Sequence, residues 1–240
     1  MANIVIGIEG YVGSGKTSIC RNLIKKMPNT VLLNGGNLYR AIIYTLINSG
    51  KNLQEIKHKA SNINIKELMD EFKINLRVEN NETVIYIGET KIEEEKLQSK
   101  ENSIAVSSIG GRANEKELFE FARNLIDELK TKYNVIISGR GIMTIYPKTD
   151  YHIFITATLE ERVRRKCMQY NDVDEKEIRE NIEQRDALQE KVGYYKIEEN
   201  TIVIDVTNCK NVEESTDKVL ENISIQELVN IWRKAIYGFY

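Results

Sequence analysis

The residues best suited to chemistry stand near the amino terminus, in the segment Gly10–Thr17. It reads Gly-Tyr-Val-Gly-Ser-Gly-Lys-Thr and fits the phosphate-binding pattern G-x-x-x-x-G-K-T without a mismatch. Glycines let the backbone curl so that successive N–H groups point inward and form a nest for an anion. The lysine can then reach the β- and γ-phosphates of a nucleoside triphosphate, and the threonine hydroxyl can bind Mg²⁺. We therefore expect this P-loop to bind ATP or a related triphosphate.

We assign specific tasks to the side chains of this loop. Lys16 is the expected catalytic cation, and Thr17 is the expected ligand of the Mg²⁺ that accompanies ATP. A buried-looking strand precedes the loop and a helix follows it, which is the context that the pattern requires. The residues expected to contact ATP are Gly10, Gly13, Ser14, Gly15, Lys16, Thr17 and Ser18.

A phosphotransferase also needs cations that hold a second anion, and arginine suits this task because its guanidinium grips phosphate with two hydrogen bonds. Arg140 follows an apolar run, at the edge of a sheet where ligands bind. Arg162, Arg164 and Arg165 crowd one predicted helix; an ordinary solvated face paired with the neighbouring glutamates remains the alternative. The remaining candidates are Arg40, Arg112 and Arg185, and local pairing with the adjacent Asp186 is an equal possibility for Arg185.

Apolar runs separated by helical patterns indicate the elements that position these side chains. The runs are rich in β-branched residues and mostly do not alternate with polar ones, which is typical of a parallel sheet covered on both faces. The pattern predicts an α/β doubly wound fold with these five strands: Ile4–Ile8, Val31–Leu33, Val135–Ile137, His152–Ile155 and Ile202–Val206.

One stretch breaks this rhythm. Residues 74–78 and 84–87 alternate apolar and polar side chains on either side of Asn80 and Asn81, which predicts a hairpin with a loop that exceeds two residues. With its flanking helices the hairpin forms an inserted subdomain at about 64–109, whose sheet need not join the main one. The two histidines, His58 and His152, stand alone, and we expect His152 to be packed inside its strand.

Composition limits the classes of partner. The 240 residues carry a net charge of -2, which gives no electrostatic reason to expect nucleic acid or a membrane surface. The three cysteines show no paired spacing, so neither a disulfide frame nor a zinc site is expected, and a reducing compartment fits. The amino terminus has no signal-peptide pattern, and no apolar run approaches the length of a membrane span. We expect a cytoplasmic protein that works on small-molecule nucleotides as a monomer or weak homo-oligomer.

Beyond the P-loop, several motifs resemble the cytidylate kinase family from about Ile4 to Ile223. Asn34-Gly-Gly-Asn-Leu-Tyr-Arg40 stands where the family has Asp-Thr-Gly-Ala-Met-Tyr-Arg, and Val135-Ile-Ile-Ser-Gly-Arg140 leads into the position of its Gly-Arg-Asp motif. Ser103 and Arg112 match the pair that the family uses on the cytosine base. Residues 151–165 resemble a late strand and arginine lid, and Arg185 begins the family's Arg-Asp pair.

The resemblance implies a fold and a reaction. The fold is a three-layer P-loop NTPase domain over 1–240, with five parallel strands ordered 2-3-1-4-5, the insertion at 64–109 as acceptor-binding subdomain, a helical lid at 158–192 and an aromatic helical tail at 224–240. The reaction moves the γ-phosphoryl of ATP to CMP or dCMP. By carry-over, Lys16, Arg140, Arg162 and Arg165 are catalytic, Arg164 contacts ATP, and the acceptor is bound by Gly35, Arg40, Ser103, Arg112, Arg140 and Arg185.

The chain departs from the family where the family binds its acceptor. Carboxylates of the family are replaced at Asn34, Ser138, Gly141 and Gln189, and a family arginine is replaced at Val192. Because the acid at the position of Gly141 helps read the cytosine amino group, we expect Gly141→Asp to raise the preference for CMP. Three functions stay open: a nucleoside monophosphate kinase of loosened base preference, a kinase of another small acceptor, and a non-catalytic nucleotide-binding protein.

Overall fold

The computed structural model describes residues 2–48, 65–97, 99, 102, 115–169, 174–191, 193–195 and 197–237. For residues 65, 66, 68, 115–118 and 225–237 it describes the backbone only. The predicted base-reading residues Ser103 and Arg112, and the substituted position Val192, lie outside the described residues. Within the described part, no helix is both long enough and apolar enough to cross a membrane.

Eight strands form one sheet, so the expectation of five strands is wrong in number. The order along the sheet is β3-β4-β2-β6-β1-β7-β8, with β5 paired to β4, and the five predicted strands correspond to β1, β2, β6, β7 and β8. The additional three come from the hairpin region. The strands are β1 (Val5–Gly10), β2 (Thr30–Asn34), β3 (Ile74–Glu79), β4 (Glu82–Ile87), β5 (Thr90–Ile92), β6 (Asn134–Ser138), β7 (Tyr151–Thr156) and β8 (Thr201–Asp205).

Helices connect most of these strands, as the alternation of sequence patterns predicts. The fold is therefore α/β with a sheet whose central pairings are parallel. The described helices are α1 (Lys16–Lys26), α2 (Gly35–Asn48), α3 (Ile65–Glu71), α4 (Glu94–Leu97), α5 (Glu115–Lys130), α6 (Ile142–Ile145), α7 (Leu159–Gln169), α8 (Glu175–Lys191) and α9 (Val212–Tyr237).

The chain divides into two compact units. The first contains residues 1–5, 29–139 and 143–148, and its apolar core joins α2 to the hairpin and α4. Leu46 of α2, Ile74 of β3 and Ile85 of β4 are buried members of this core. The hairpin sheet continues the main one, because Leu32 of β2 pairs in parallel with Glu82 of β4, contrary to the separate sheet that we allowed for.

The hairpin loop is also shorter than expected. Strand β3 ends at Glu79 and β4 begins at Glu82, so Asn80 and Asn81 alone make the turn. Both have positive φ, 50° and 64°, which asparagine tolerates better than most residues. Two left-handed residues in a two-residue loop match the right-handed twist of the flanking strands. The turn chemistry of the two asparagines therefore fixes the register of the hairpin.

The second unit contains residues 6–28, 140–142 and 149–240. Strands β1, β7 and β8 pair in parallel, with Ile8 opposite Ile153 and Ile153 opposite Ile202. Helices α7 and α8 fall within the predicted lid, whose boundaries, like those of the insertion, stay predictions. Helix α9 runs to Tyr237, and the aromatic side chains of the predicted tail lie outside the described side chains.

The buried ring of Phe154 tests how much the apolar core of the second unit depends on its aromatic contacts. Phe154 is 1% exposed and meets the rings of Tyr11 and Tyr195 edge-on, with centroids 5.2 and 5.8 Å away. We expect Phe154→Ala to lower the free energy of unfolding by about 3–5 kcal/mol, measured by urea denaturation, because it leaves a cavity. Val203 lies opposite Phe154 on β8 but is 48% exposed, so Val203→Ala should cost less than about 1 kcal/mol. Equal losses from the two substitutions would contradict this view of the core.

Candidate functional site

The P-loop has the backbone geometry that an anion nest requires. Strand β1 ends at Gly10, where a Cβ atom would stand only 2.3 Å from the backbone oxygen of Ile155, so no other residue fits. Gly15 adopts the left-handed conformation at φ 89° immediately before α1, and no side chain among the described residues caps the helix. The first-turn N–H groups of α1 are therefore left for an anion, and the helix dipole favours negative charge at that end.

Three cations influence one another electrostatically beside this loop: Lys16, Arg140 and Arg185. Burial, then the charge of Arg140, lowers the pKa of Lys16 to about 8; Arg185 adds to this effect, whereas Cys20 and Glu9 oppose it. Burial and the charge of Arg185 also lower the pKa of Arg140, against the raising effects of Tyr195 and Asp186. Among the described residues, none of the three forms an ion pair with a carboxylate. Such a cluster repels itself until an anion of high charge enters it.

Asp186 ties α8 to the P-loop. Its carboxylate accepts a hydrogen bond from the Val12 N–H at 3.2 Å and another from the Tyr195 hydroxyl at 2.8 Å. The same carboxylate forms an ion pair with Arg162. Burial and this bond to Asp186 raise the pKa of Tyr195, so its hydroxyl stays a donor. The Arg-Asp pair of the sequence thus has divided tasks: Arg185 joins the cation cluster, and Asp186 holds the loop.

Arg162, which we predicted to be catalytic, is buried and directed at the protein backbone. Its guanidinium donates to the Val12 carbonyl at 3.0 Å and to the Ala157 carbonyl at 3.1 Å, and lies over the Tyr11 ring at 5.0 Å. In this arrangement Arg162 fastens α7 to the P-loop. The prediction of a catalytic Arg162 therefore stays a prediction, and the structure gives the residue a positioning task.

Glu161 pairs with the other two lid arginines. It accepts hydrogen bonds from Arg164 at 2.7 Å and from Arg165 at 2.8 Å, and these bonds, that from Arg164 foremost, lower its pKa to about 2. Arg165 also donates to the carbonyls of Ser14 at 3.2 Å and Val206 at 2.6 Å, so it too holds the P-loop backbone. Arg164 is 55% exposed and fits the solvated-face alternative.

The first unit contains two of the residues predicted to contact the acceptor, Gly35 and Arg40, which lie in the first part of α2. A Cβ atom at Gly36 would lie 3.5 Å from the Asn34 side-chain oxygen and 4.0 Å from a guanidinium nitrogen of Arg40. The amides of Asn34 and Asn37 both donate to Glu94, at 3.4 and 3.2 Å. A carboxylate thus stands beside the position where the family's acid is replaced by Asn34. Sequence reasoning missed Glu94, because only the folded chain brings residue 94 to this helix.

Two other positions where the family has an acid, Ser138 and Gly141, have different surroundings. Ser138 is buried at the end of β6. Gly141 has φ 62°, and a Cβ atom there would stand 3.1 Å from the ring of Tyr194. Tyr194 therefore occupies the space next to the position where the family carries its base-reading acid. The expectation that Gly141→Asp alone raises the preference for CMP overlooked this ring, which is more than fifty residues away in the sequence.

Thr17 is exposed in the first turn of α1 and can offer its hydroxyl to a metal ion. The described residues contain no cluster of three acidic, histidine or cysteine side chains that could hold a metal by themselves. Magnesium binds phosphate oxygens and keeps several waters, so one protein hydroxyl beside a triphosphate is an adequate site. The residues present are compatible with Mg²⁺ that arrives with ATP.

Comparison with known proteins identifies the family. A family model described as cytidylate kinase matches residues 6–225. The chain belongs to the cytidylate kinase family. Its relatives include the cytidylate kinases of Caldicellulosiruptor saccharolyticus, 31% identical over 92% of this chain and 96% of the relative, and of Fusobacterium nucleatum, 32% identical over 98% of both. The cytidylate kinase of Clostridioides difficile is 29% identical over 94% of this chain and all of its own length.

The buried pair of Arg162 and Asp186 yields a stability prediction for this member of the cytidylate kinase family. Their side chains are 9% and 15% exposed, so Arg162→Ala leaves a largely buried carboxylate without its partner. We expect the free energy of unfolding to fall by about 3 kcal/mol or more in denaturant titrations. The exposed Arg164→Ala serves as control and should cost less than about 1 kcal/mol. A stable Arg162→Ala variant with lost turnover would instead support the catalytic role expected from the sequence.

Proposed function

We propose that this chain is an ATP-dependent nucleoside monophosphate kinase that transfers the γ-phosphoryl group to CMP or dCMP, on a P-loop NTPase fold with a helical lid. The observation that carries the proposal is the cluster of Lys16, Arg140 and Arg185 beside an uncapped helix terminus. Three mutually repelling cations need a ligand of several negative charges, and a nucleoside triphosphate supplies it. The family membership and the names of the relatives favour cytidine nucleotides as acceptor.

Phosphoryl transfer depends mainly on positioning and charge stabilisation, and the chain offers groups for both. The P-loop N–H groups bind the β-phosphate, and Lys16 neutralises charge on the β- and γ-phosphates. Thr17 would hold Mg²⁺, which when bound supplies positive charge to the β- and γ-phosphate oxygens. Arg140 and Arg185 stabilise the charge of the phosphoryl group in transit and of the acceptor phosphate.

For the acceptor we propose a site at the start of α2. The Arg40 guanidinium binds the acceptor phosphate, and Gly35 and Gly36 leave the backbone accessible to it. The carboxylate of Glu94, held by Asn34 and Asn37, takes over part of the task of the acid that Asn34 replaces. It is a hydrogen-bond acceptor for a hydroxyl group of the sugar. Ser103 and Arg112 remain the proposed contacts to the base.

A second candidate is a kinase whose acceptor is a different small phosphate compound. It is favoured by the contact between Gly141 and Tyr194, because a ring stands next to the position of the acid that reads cytosine in the family. A site that lacks a hydrogen-bonding partner discriminates weakly, so other bases or another flat or apolar group could be accepted.

The decisive experiment measures ADP formation from Mg-ATP with CMP, dCMP, UMP, AMP and GMP offered separately. We expect CMP and dCMP to stimulate turnover, and Lys16→Ala to lower it on the order of a thousandfold, because the transferred charge loses its nearest cation. Lys26→Ala is the matched control: it removes a lysine of the same helix that pairs with Glu213 at 2.5 Å on the surface. Binding of ATP without turnover for any acceptor would leave a nucleotide-binding protein, and normal turnover in a folded Lys16→Ala would refute the P-loop mechanism.

Base preference is tested at Gly141 and Tyr194 together. We expect Gly141→Asp alone to lose activity without favouring CMP, since the new side chain meets the Tyr194 ring. Combined with Tyr194→Ala, it should raise the ratio of kcat/KM for CMP over UMP about tenfold, the value of one hydrogen bond to a charged group. Tyr194→Ala alone is the control for the loss of the ring. An unchanged ratio in the double variant would exclude this position as a reader of the base.

A further inference from the structure

A buried network behind the P-loop has no part in the roles assigned so far. Glu9, next to the end of β1, is 2% exposed, and its carboxylate accepts a hydrogen bond from the Ile142 N–H at 2.6 Å. Its other oxygen lies 3.2 Å from Nε2 of His152, whose side chain is fully buried on β7. The second ring nitrogen of His152, Nδ1, lies 2.8 Å from the hydroxyl of Thr201 on β8. The network thus crosses three adjacent strands.

One assignment of protons satisfies every hydrogen bond in this network. In it, the Thr201 oxygen accepts from the N–H of Glu198 at 2.9 Å and donates its own proton to Nδ1 of His152. The proton of a neutral imidazole then sits on Nε2 and is donated to Glu9. With the Ile142 N–H on its other oxygen, the carboxylate of Glu9 is hydrogen-bonded at both oxygens and held in one orientation.

The carboxylate of Glu9 anchors the loop that carries Arg140. Ile142 is the first residue of α6, and Arg140 precedes it by two positions. Gly7 stands on the same face of β1 as Glu9, and a Cβ atom at Gly7 would be 2.8 Å from Cγ2 of Ile142, so the loop is seated closely on the strand. Burying a carboxylate costs free energy, whereas an apolar side chain could pack at this position without that cost. Its presence under this loop indicates a task in holding it.

The loop that carries Arg140 needs such an anchor because neighbouring cations repel the Arg140 side chain. After burial, the charge of Arg140 is the next cause that lowers the pKa of Lys16 on α1, and the charge of Arg185 on α8 lowers the pKa of both. Without an attachment, the loop after β6 can relieve the repulsion by moving Arg140 away before a nucleotide binds. A hydrogen bond from a backbone N–H to a buried carboxylate is among the stronger kinds and resists this movement.

We propose that Glu9 is a positioning residue, oriented by His152, that anchors the Ile142 N–H and thereby keeps the Arg140 guanidinium beside Lys16. The role rests on the proposed phosphotransferase function, in which Arg140 stabilises the group in transit. Glu9 acts through Arg140 and not on substrate, so its removal changes kcat more than the KM for ATP.

A double-mutant cycle tests this dependence. We expect Glu9→Ala to lower kcat on the order of tenfold to a hundredfold, the effect of a small misplacement at the reacting group, with KM for ATP changed less than about threefold. Glu9→Gln keeps an oxygen that accepts from Ile142 and should recover most of the activity. In an Arg140→Ala background, Glu9→Ala should have little further effect, because the residue through which it acts is gone. Thr216→Val is the control: it removes a buried hydroxyl of the same unit, which bonds the Val212 carbonyl at 2.7 Å, and its effects should add to those of Arg140→Ala.

Hydrogen exchange at the Ile142 amide provides a readout that needs no turnover. The amide of Ile142 should exchange faster in Glu9→Ala than in the parent protein. In Glu9→Gln its exchange rate should be close to that of the parent protein. If Glu9→Ala does not fold, His152→Phe is the alternative variant, because it keeps a ring in place and removes the hydrogen bond that orients Glu9. We expect a smaller loss of kcat, which should again be absent when Arg140→Ala is already present. Additive effects in the cycle, or slow Ile142 exchange in Glu9→Ala, would overturn the proposal. If the parent protein shows no turnover but Ile142 exchange still accelerates in Glu9→Ala and not in Glu9→Gln, the result would count against the proposed function and not against the anchoring role of Glu9.

Discussion

Repulsion among Lys16, Arg140 and Arg185 is the constraint on which the arrangement of the second unit depends. Three cations grouped in a partly buried place are stable only if other groups hold each of them, since like charges at short range disfavour one another. Burial lowers the pKa of Lys16 to about 8, and the charge of Arg140 adds to this effect. The binding energy of a triphosphate is raised correspondingly, because the ligand neutralises charges that the fold has already brought together.

Among the described residues, the carboxylates near the site bind the backbone and the arginines of α7, and none of them forms an ion pair with Lys16, Arg140 or Arg185. Asp186 binds the Val12 N–H, and Glu9 binds the Ile142 N–H, so each fixes a loop that carries or surrounds a cation. Glu161 orients Arg165, which in turn donates to the Ser14 carbonyl. A carboxylate paired directly with Lys16 would compete with the nucleotide. Binding backbone N–H groups instead lets the acids rigidify the site and leave its charge available.

Local sequence signals predicted the five main strands and the strand and helix that flank the P-loop, because apolar runs and a contiguous glycine pattern express their structure within a few residues. The number of strands was wrong because an insertion can form its own sheet or extend another, and only the Leu32–Glu82 pairing decides this. Arg162 was predicted to be catalytic because arginines on a helix give no sign of direction, whereas its burial against Val12 and Asp186 depends on tertiary contacts. Glu9, Glu94 and Tyr194 were missed for the same reason, since their partners lie more than fifty residues away.

The replacements of acids at Asn34 and Gly141 have different consequences for the predicted acceptor site. Where Asn34 replaces an acid, its amide and that of Asn37 bind the carboxylate of Glu94, so a negative charge stays at the start of α2. Where Gly141 replaces an acid, the ring of Tyr194 lies against the position, and the left-handed backbone at φ 62° suits glycine. The first change conserves the electrostatics of the site, and the second exchanges a hydrogen-bond acceptor for an apolar surface. Discrimination between bases depends on such acceptors, whereas transfer depends on the cations, so the same chain can keep its chemistry and change its choice of acceptor.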